Sequence, residues 1–273
     1  MKKLLVAGTA LLDNIISSDH PLQENVCTKV SQVLCPGGSM RNVAHNLAVL
    51  QVRSDFLAVW SNDVYSTLIR QELQDLGVGC CGPVLDFPTP VFTALTVDGQ
   101  QYLFSSISPE FILTKDLPFS YACYDLVLTD NEGLLESLIS QHPAIEIVAV
   151  GFIPPREYQA NVQGISLNRH EFYNCVNHHN YKEVAASFPN SWLIVSLDQM
   201  GLFASFQLKE YTRNNESAAI FASGFGCGDA LVCGVVAKLL EGEGFETALA
   251  FGHRLAEAVY QAPKTTIDGL WNL

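Results

Sequence analysis

The stretch GFGCGDALVCG, residues 224–234, decides how the rest of the chain is read. Three glycines alternate with Phe225 and Cys227, and Asp229 then stands alone at the head of an apolar run. Residues without a Cβ let backbone N–H groups converge on one small space. If a helix begins there, its unpaired amides and its dipole add positive potential, which makes an anion site suited to phosphate. An acid beside such a site makes chemical sense if it takes a proton from a substrate hydroxyl. The amides of Gly226, Cys227 and Gly228 then stabilise charge on a phosphoryl group. The same spacing also fits a plain capped helix with Asp229 as a first-turn acid, and spacing alone leaves both readings open. The pattern is not GxGxxG after an amino-terminal strand, and it lacks the GK[ST] of a Walker loop.

Working outward from this turn, apolar strand-like runs recur as LLVAG, DFLAVW (55–60), DLVLTD (125–130), IEIVAV (145–150) and WLIVSL (192–197). Helical patterns alternate with them at 40–50, 63–77, 132–141, 180–188, 229–241 and 246–262. The alternation predicts an α/β fold with a mainly parallel sheet covered on both faces. One segment breaks the rhythm. PVFTALTVDGQQYLFSSI (90–107) is two β-runs about Asp98-Gly99, a hairpin signal. With the strand-like 27–35 it predicts a small antiparallel flap.

Composition narrows the partners. The 273 residues are 48% hydrophobic and 16% charged, which suits a chain with a large core rather than a disordered one. The net charge of −13 leaves no surplus of Lys and Arg for nucleic acid or for an anionic membrane surface. No CxxC pair occurs among the eight cysteines, so they read as small hydrophobes and not as a zinc site. MKKLLVAGTALLDNII reads as a first buried strand and not a signal peptide, because Asp13 and Asn14 break its apolar run. No run is long enough to span a membrane, and a cytoplasmic location is expected. His178-His179 reads as solvated loop.

Five motifs together carry a family resemblance. GCGDA (226–230) resembles the GAGDA signature of the ribokinase-like (PfkB) sugar and nucleoside kinases, and PGGSMRNVAHNLAVL (36–50) resembles their glycine-glycine motif. SLNRHEF (166–172) looks like the NxxE motif, VSLDQMG (195–201) like the nucleotide strand-turn, and GTALLDNI (8–15) like the early sugar-binding segment. The motifs stand in the family's order over nearly the whole chain. The run RNVAHNLA (41–48) is closer to the pseudouridine-kinase branch than to ribokinase itself.

The resemblance implies one three-layer α/β/α kinase domain over residues 1–273, with a β lid from about 17–36 and 88–110. It implies ATP and Mg²⁺ as cofactors and a sugar or nucleoside as acceptor, pseudouridine foremost. Ribose, adenosine or fructose phosphate are the rival acceptors, and a ligand-binding member without turnover is the rival in kind. Asp229 would be the catalytic base, with Gly226, Cys227 and Gly228 as the anion hole. Asp13 would accept two sugar hydroxyls, a diol being a fit partner for a buried carboxylate. Gly37, Gly38 and Asn42 would hold the same sugar. Asn46 would either touch the ligand or pack the helix, and Arg41 reads as a surface or salt-bridge residue. Asn168, Ser196 and Gly201 would lie along the nucleotide, and Glu171 would order Mg²⁺ through water. A homodimer through the lid is expected. Two positions depart from the family: Asp198 replaces a glycine of the nucleotide turn, and Ser223 replaces an acid or amide of the monovalent-cation loop. The second departure predicts little dependence on K⁺.

Overall fold

Leu4, Leu5, Val6 and Ala7 are all fully buried, the mark of a strand covered on both faces. In the computed structural model, which describes residues 2–18, 20–114, 117–176, 180–197, 200–214, 224–261 and 265–268, they form β1 (Leu4–Ala7), inside a nine-stranded sheet. The order from one edge is β15 (Lys209–Arg213), β14 (Leu202–Phe206), β13 (Trp192–Ser196), β12 (Val162–Asn168) and β11 (Glu146–Val150). It continues through β10 (Leu126–Thr129), β1 and β4 (Ser54–Leu57) to β6 (Gly79–Cys81). Neighbours run parallel except at the β13–β14–β15 edge, which is antiparallel. A two-stranded ribbon, β5 (Trp60–Ser61) with β7 (Val84–Leu85), extends from β4 and β6.

Alternate strand residues face opposite cores. Leu4 and Val6 join Met40, Ile69, Leu231 and Phe245, under α1 (Ser39–Val49), α2 (Val64–Asp75), α6 (Cys227–Leu240) and α7 (Phe245–Gln261). Leu5 and Ala7 join Leu135 and Leu138 of α3 (Leu135–Gln141) on the other face. There Phe172 of α4 (Arg169–Cys175) and Val184 of α5 (Tyr181–Ser187) complete the layer over Ile165 and Val195. The result is the three-layer α/β/α architecture with a mainly parallel sheet. Two mid-helix glycines lock α6 to α7: a Cβ on Gly234 would lie 2.5 Å from Gly252 Cα. No helix among the described residues is long and apolar enough to cross a membrane.

The amino-terminal apolar run is two strands, not one. β1 stops at Ala7, where the backbone of Gly8 donates to Leu57 and a Cβ on Gly8 would strike Met40 and Asp130. The chain then turns out of the main sheet into β2 (Leu11–Ser18), and Asp13 rides on this strand. β2 belongs to a four-stranded flap ordered β3 (Ser31–Gly37), β2, β8 (Val91–Val97) and β9 (Gln100–Ser105). The β8–β9 hairpin turns at Asp98 (φ 48°) and Gly99 (φ 74°), a pair of left-handed residues that matches strand twist. The flap's outer pairs are antiparallel, but β2 and β8 run parallel, and its first strand starts ahead of the expected residue 17.

Candidate active site

The carboxyl ends of parallel strands and the amino ends of the following helices meet along one edge of the sheet, where ligands of such folds bind. There Gly226 caps α6 with φ 79°, and a Cβ on it would lie 2.0 Å from Thr265 O. Neither α6 nor α1 has a side-chain cap, and Asp229 is the acid in the first turn of α6. Gly228 is exposed to the cleft with nothing within 4 Å of a built Cβ. Its lack of a side chain therefore serves open space, whereas Gly226 serves backbone geometry. Phe225, half-buried, meets Phe92 of β8 edge to face at 5.7 Å between centroids, so the glycine turn touches the flap.

Asp229 is 9% exposed. Its Oδ1 accepts from Ser39 Oγ, and its Oδ2 accepts from Asn42 Nδ2 at 3.2 Å. Burial pushes its carboxyl up to about 6, with the Glu171 charge adding to the rise and the Ser39 and Asn42 hydrogen bonds opposing it. Asp13 is pushed up to about 7 by burial and then by Asp229, while Arg41 pulls it down. The glycine pair ahead of α1 makes room for this acid. A Cβ on Gly37 would fall 2.2 Å from the Asp13 carboxyl, and one on Gly38 (φ 98°) would fall 2.3 Å from Thr9 O.

Asn42, expected on the sugar, is engaged on both sides: it donates to Asp229 and accepts from Arg41 Nη1 at 3.2 Å. Arg41 is no surface residue, being 1% exposed, and it pairs with Glu72 of α2 at 2.7 Å. Asn46 is fully buried and accepts from the backbone of Ile267 at 3.0 Å. His45 Nε2 meets Asp268 Oδ1 at 2.8 Å. Together these α1 residues hold the 265–268 segment, whose Thr265 carbonyl backs Gly226.

Asn168 and Glu171 form a capping box at the start of α4. Glu171 N donates to Asn168 Oδ1 at 2.8 Å, and Asn168 N donates to Glu171 Oε2 at 2.7 Å. Glu171 is thus a first-turn acid of α4, and burial raises its carboxyl. Ser196 ends β13 in register with Asn168. Gly201 (φ 94°) is glycine because a Cβ there would lie 1.8 Å from Arg213 O. No hydrogen bond links Ser196 or Gly201 to the Asp229 cluster among the described residues. Burial, then Asp229, pushes the Cys227 thiol up to about 12, so it stays neutral. Asp198, Ser223 and His178-His179 lie outside the described residues.

Two residues at the site have no place in the sequence reading. Ser39 is one. Asp130 is the other: it follows β10 and keeps an exposed face, yet its crowded carboxyl is pushed up to about 7, by burial and then by Asp229 and Glu171. The signal for it is an acid at the carboxyl end of the central run DLVLTD, where open α/β sheets place their ligands. A concavity of about 410 Å³ between Lys2, Asp125, His142 and Glu146 lies at the opposite strand ends and holds none of these groups.

The family model for pfkB family carbohydrate kinases matches residues 154–272. Among curated proteins none matches significantly. Solved structures superpose over nearly the full length. The ribokinase of Thermotoga maritima is 18% identical with a TM-score of 0.78, covering 97% of this chain and 95% of its own. Arabidopsis thaliana ribokinase, solved with ribose and ATP, is 18% identical with a TM-score of 0.75, covering 98% and 95%. A Methanocaldococcus jannaschii nucleoside kinase is 18% identical with a TM-score of 0.77, covering 97% and 93%. Residues 154–272 are thus similar in sequence to the pfkB family carbohydrate kinases, and the chain as a whole has the ribokinase-like fold.

Proposed function

We propose that the protein transfers the γ-phosphoryl group of ATP to a hydroxyl of a neutral sugar or nucleoside, with pseudouridine the first acceptor to test. One observation carries this reading. A buried acid sits in the first turn of an uncapped helix, beside the open space over Gly228. Amides there face a transferring phosphoryl group, and the acid faces the attacking hydroxyl. In the reaction Asp13 holds the acceptor, and Asp229 takes the proton of the attacking hydroxyl. A new oxygen–phosphorus bond forms as the bond from the γ-phosphorus to the β–γ bridging oxygen breaks, and ADP leaves. A base titrating at about 6 is ionised at neutral pH yet basic enough to accept a proton in flight.

The acceptor is neutral because the cleft is acidic: Asp13, Asp130, Asp229 and Glu171 face it, and Arg41 is committed to Glu72. An acceptor that already carried a phosphate would be repelled. Mg²⁺ fits as an ion that keeps its waters. No three His, Cys, Asp or Glu side chains converge into a cage among the described residues, and Glu171 has one oxygen outside its capping bond. Such an ion would neutralise phosphate charge near Glu171. The flap also suits pairing with a second copy. Val33 and Leu34 on β3, and Leu103 and Phe104 on β9, leave apolar side chains exposed on both of its edge strands. Light scattering reads that state, and a monomer at all concentrations refutes it.

The test of the activity is a single-turnover assay with labelled ATP over pseudouridine, uridine, adenosine and ribose. Phosphorylation of one neutral acceptor is expected. Label transfer to none of them overturns the reading.

A further inference from the structure

Ser39 is the first residue of α1, directly after Gly37-Gly38, and the reaction written above does not use it. Its hydroxyl donates to Asp229 Oδ1 while Asn42, one turn along the same helix face, donates to Oδ2. Each oxygen of the base is therefore held by one donor, both from α1. A carboxylate offers about four acceptor sites, so lone pairs remain on both oxygens. The other groups about Asp229 do not hold it. Asp13 on β2, Asp130 after β10 and Glu171 on α4 are acids, Arg41 on α1 is paired with Glu72, and the Cys227 and Cys233 thiols on α6 are neutral.

We propose that Ser39 is a positioning residue for Asp229: with Asn42 it grips the two carboxylate oxygens, aims their remaining lone pairs into the cleft, and keeps the base charged among neighbouring acids. The consequence for rate rests on the kinase reading, but the effect on Asp229 does not. A hydroxyl donated to a carboxylate favours its charged form, so losing it must raise the pH at which Asp229 ionises. The sequence places a small hydroxyl residue where α1 begins and where the first turn of α6 comes within reach. The alcohol needs no charge of its own to do this, and it cannot compete with Asp229 for the proton.

The experiment compares the full-length protein with Ser39→Ala, Ser39→Thr and Ser39→Cys. Carboxyl carbon NMR follows the titration of Asp229 in the ligand-free protein, its resonance assigned by its loss in Asp229→Asn. In parallel, kcat/KM is measured against pH with the acceptor found above. Ser39→Ala should move both the NMR titration and the acid limb of the rate profile upward by about one pH unit or more, the size expected for one hydrogen bond to a charged group. For a shift of one unit that is roughly a fivefold loss near pH 6, approaching about tenfold below pH 5 and fading toward pH 8, with KM for ATP unchanged. Ser39→Thr should restore both curves, and Ser39→Cys, a weak donor, should fall between. An unmoved Asp229 titration with a uniform loss at every pH makes Ser39 merely structural and overturns the proposal. Failure of Ser39→Thr to restore the titration overturns it as well. Absence of any phosphoryl transfer by the unmodified protein refutes the kinase reading alone, because the NMR arm still decides the hold on Asp229.

Discussion

Asp13, Asp130 and Asp229 begin from the same chemistry and are all raised by burial, to about 7, 7 and 6. The sign for stability follows. Their folded-state values lie above the ordinary 3.8, so the native chain binds more protons than the unfolded chain between these limits. Their contribution is fully present below about pH 4 and is lost as pH rises through about 7. Urea midpoints of the ligand-free protein should therefore fall across this window, and Asp13→Asn should flatten the fall. The second prediction at this scale concerns Asp229→Asn. It should lower kcat by about 10²–10⁴ with both substrates still bound in calorimetry, since an amide cannot take the proton. Its nitrogen can face the Ser39 hydroxyl, which turns to accept, while its oxygen keeps the Asn42 donor, so the loss of rate needs no loss of stability. Retention of kcat within a few-fold would return Asp229 to a plain helix acid. Asp13 and Asp229 are legible in the sequence because each is the lone acid of an apolar run, Asp229 directly after a glycine. Ser39 is not, because its partner is 190 residues away and nothing local marks the meeting. For Arg41 the salt-bridge reading holds and the surface reading does not, because the acid that pairs with it inside the fold, Glu72, lies on another helix.

Each glycine of the turn before α6 has its own reason, and substitutions separate them. Gly226→Ala must strain a left-handed residue and displace the Thr265 carbonyl, so it should cost more than the ~1–2 kcal/mol of the backbone conformation alone and lower activity with it. Gly228→Ala meets no atom and sits inside a helix, where alanine is favoured by roughly 0.5–1 kcal/mol. It should hold or raise the melting temperature while cutting kcat/KM, because the methyl would enter the space that the proposed reaction gives to phosphate. Equal activity would mean that no ligand comes near Gly228. Glu171→Gln is the corresponding test on α4: glutamine can complete a capping box, so melting should hardly change while the Mg²⁺ requirement rises. Regular runs made most elements readable, including β1, β10, β11, β13, α1, α2, α6 and α7. The pair β12 and α4 passed unread as strand and helix. Gly164 interrupts the run of β12, and it is there because a Cβ would fall 2.0 Å from the Trp192 ring. The capping box that starts α4 instead showed itself as the NxxE motif.

At the scale of the molecule, alternation of strands and helices sufficed for the three layers, since a parallel sheet needs a crossover after each strand. The split of the first apolar run did not show, because Gly8 is made necessary by Met40 and Asp130, side chains that arrive from elsewhere in the fold. That split puts Asp13 on the flap and Asp229 on the body, so in the proposed reaction one part would grip the acceptor and the other would activate it. The edge-to-face contact of Phe92 with Phe225 then ties the flap to the glycine turn before α6. An aromatic pair contributes about 0.5–1.5 kcal/mol, enough to make the turn's geometry answer to the flap's position by up to about tenfold. The consequence concerns waste. In the proposed reaction an acceptor seated on the flap would help set the turn for transfer, and without one water would gain little from bound ATP. Phe92→Ala removes that check, and the measure is the ratio of acceptor phosphorylated to free phosphate released. The ratio should fall several-fold in the variant, and an unchanged ratio would mean that flap and turn act independently in sparing ATP.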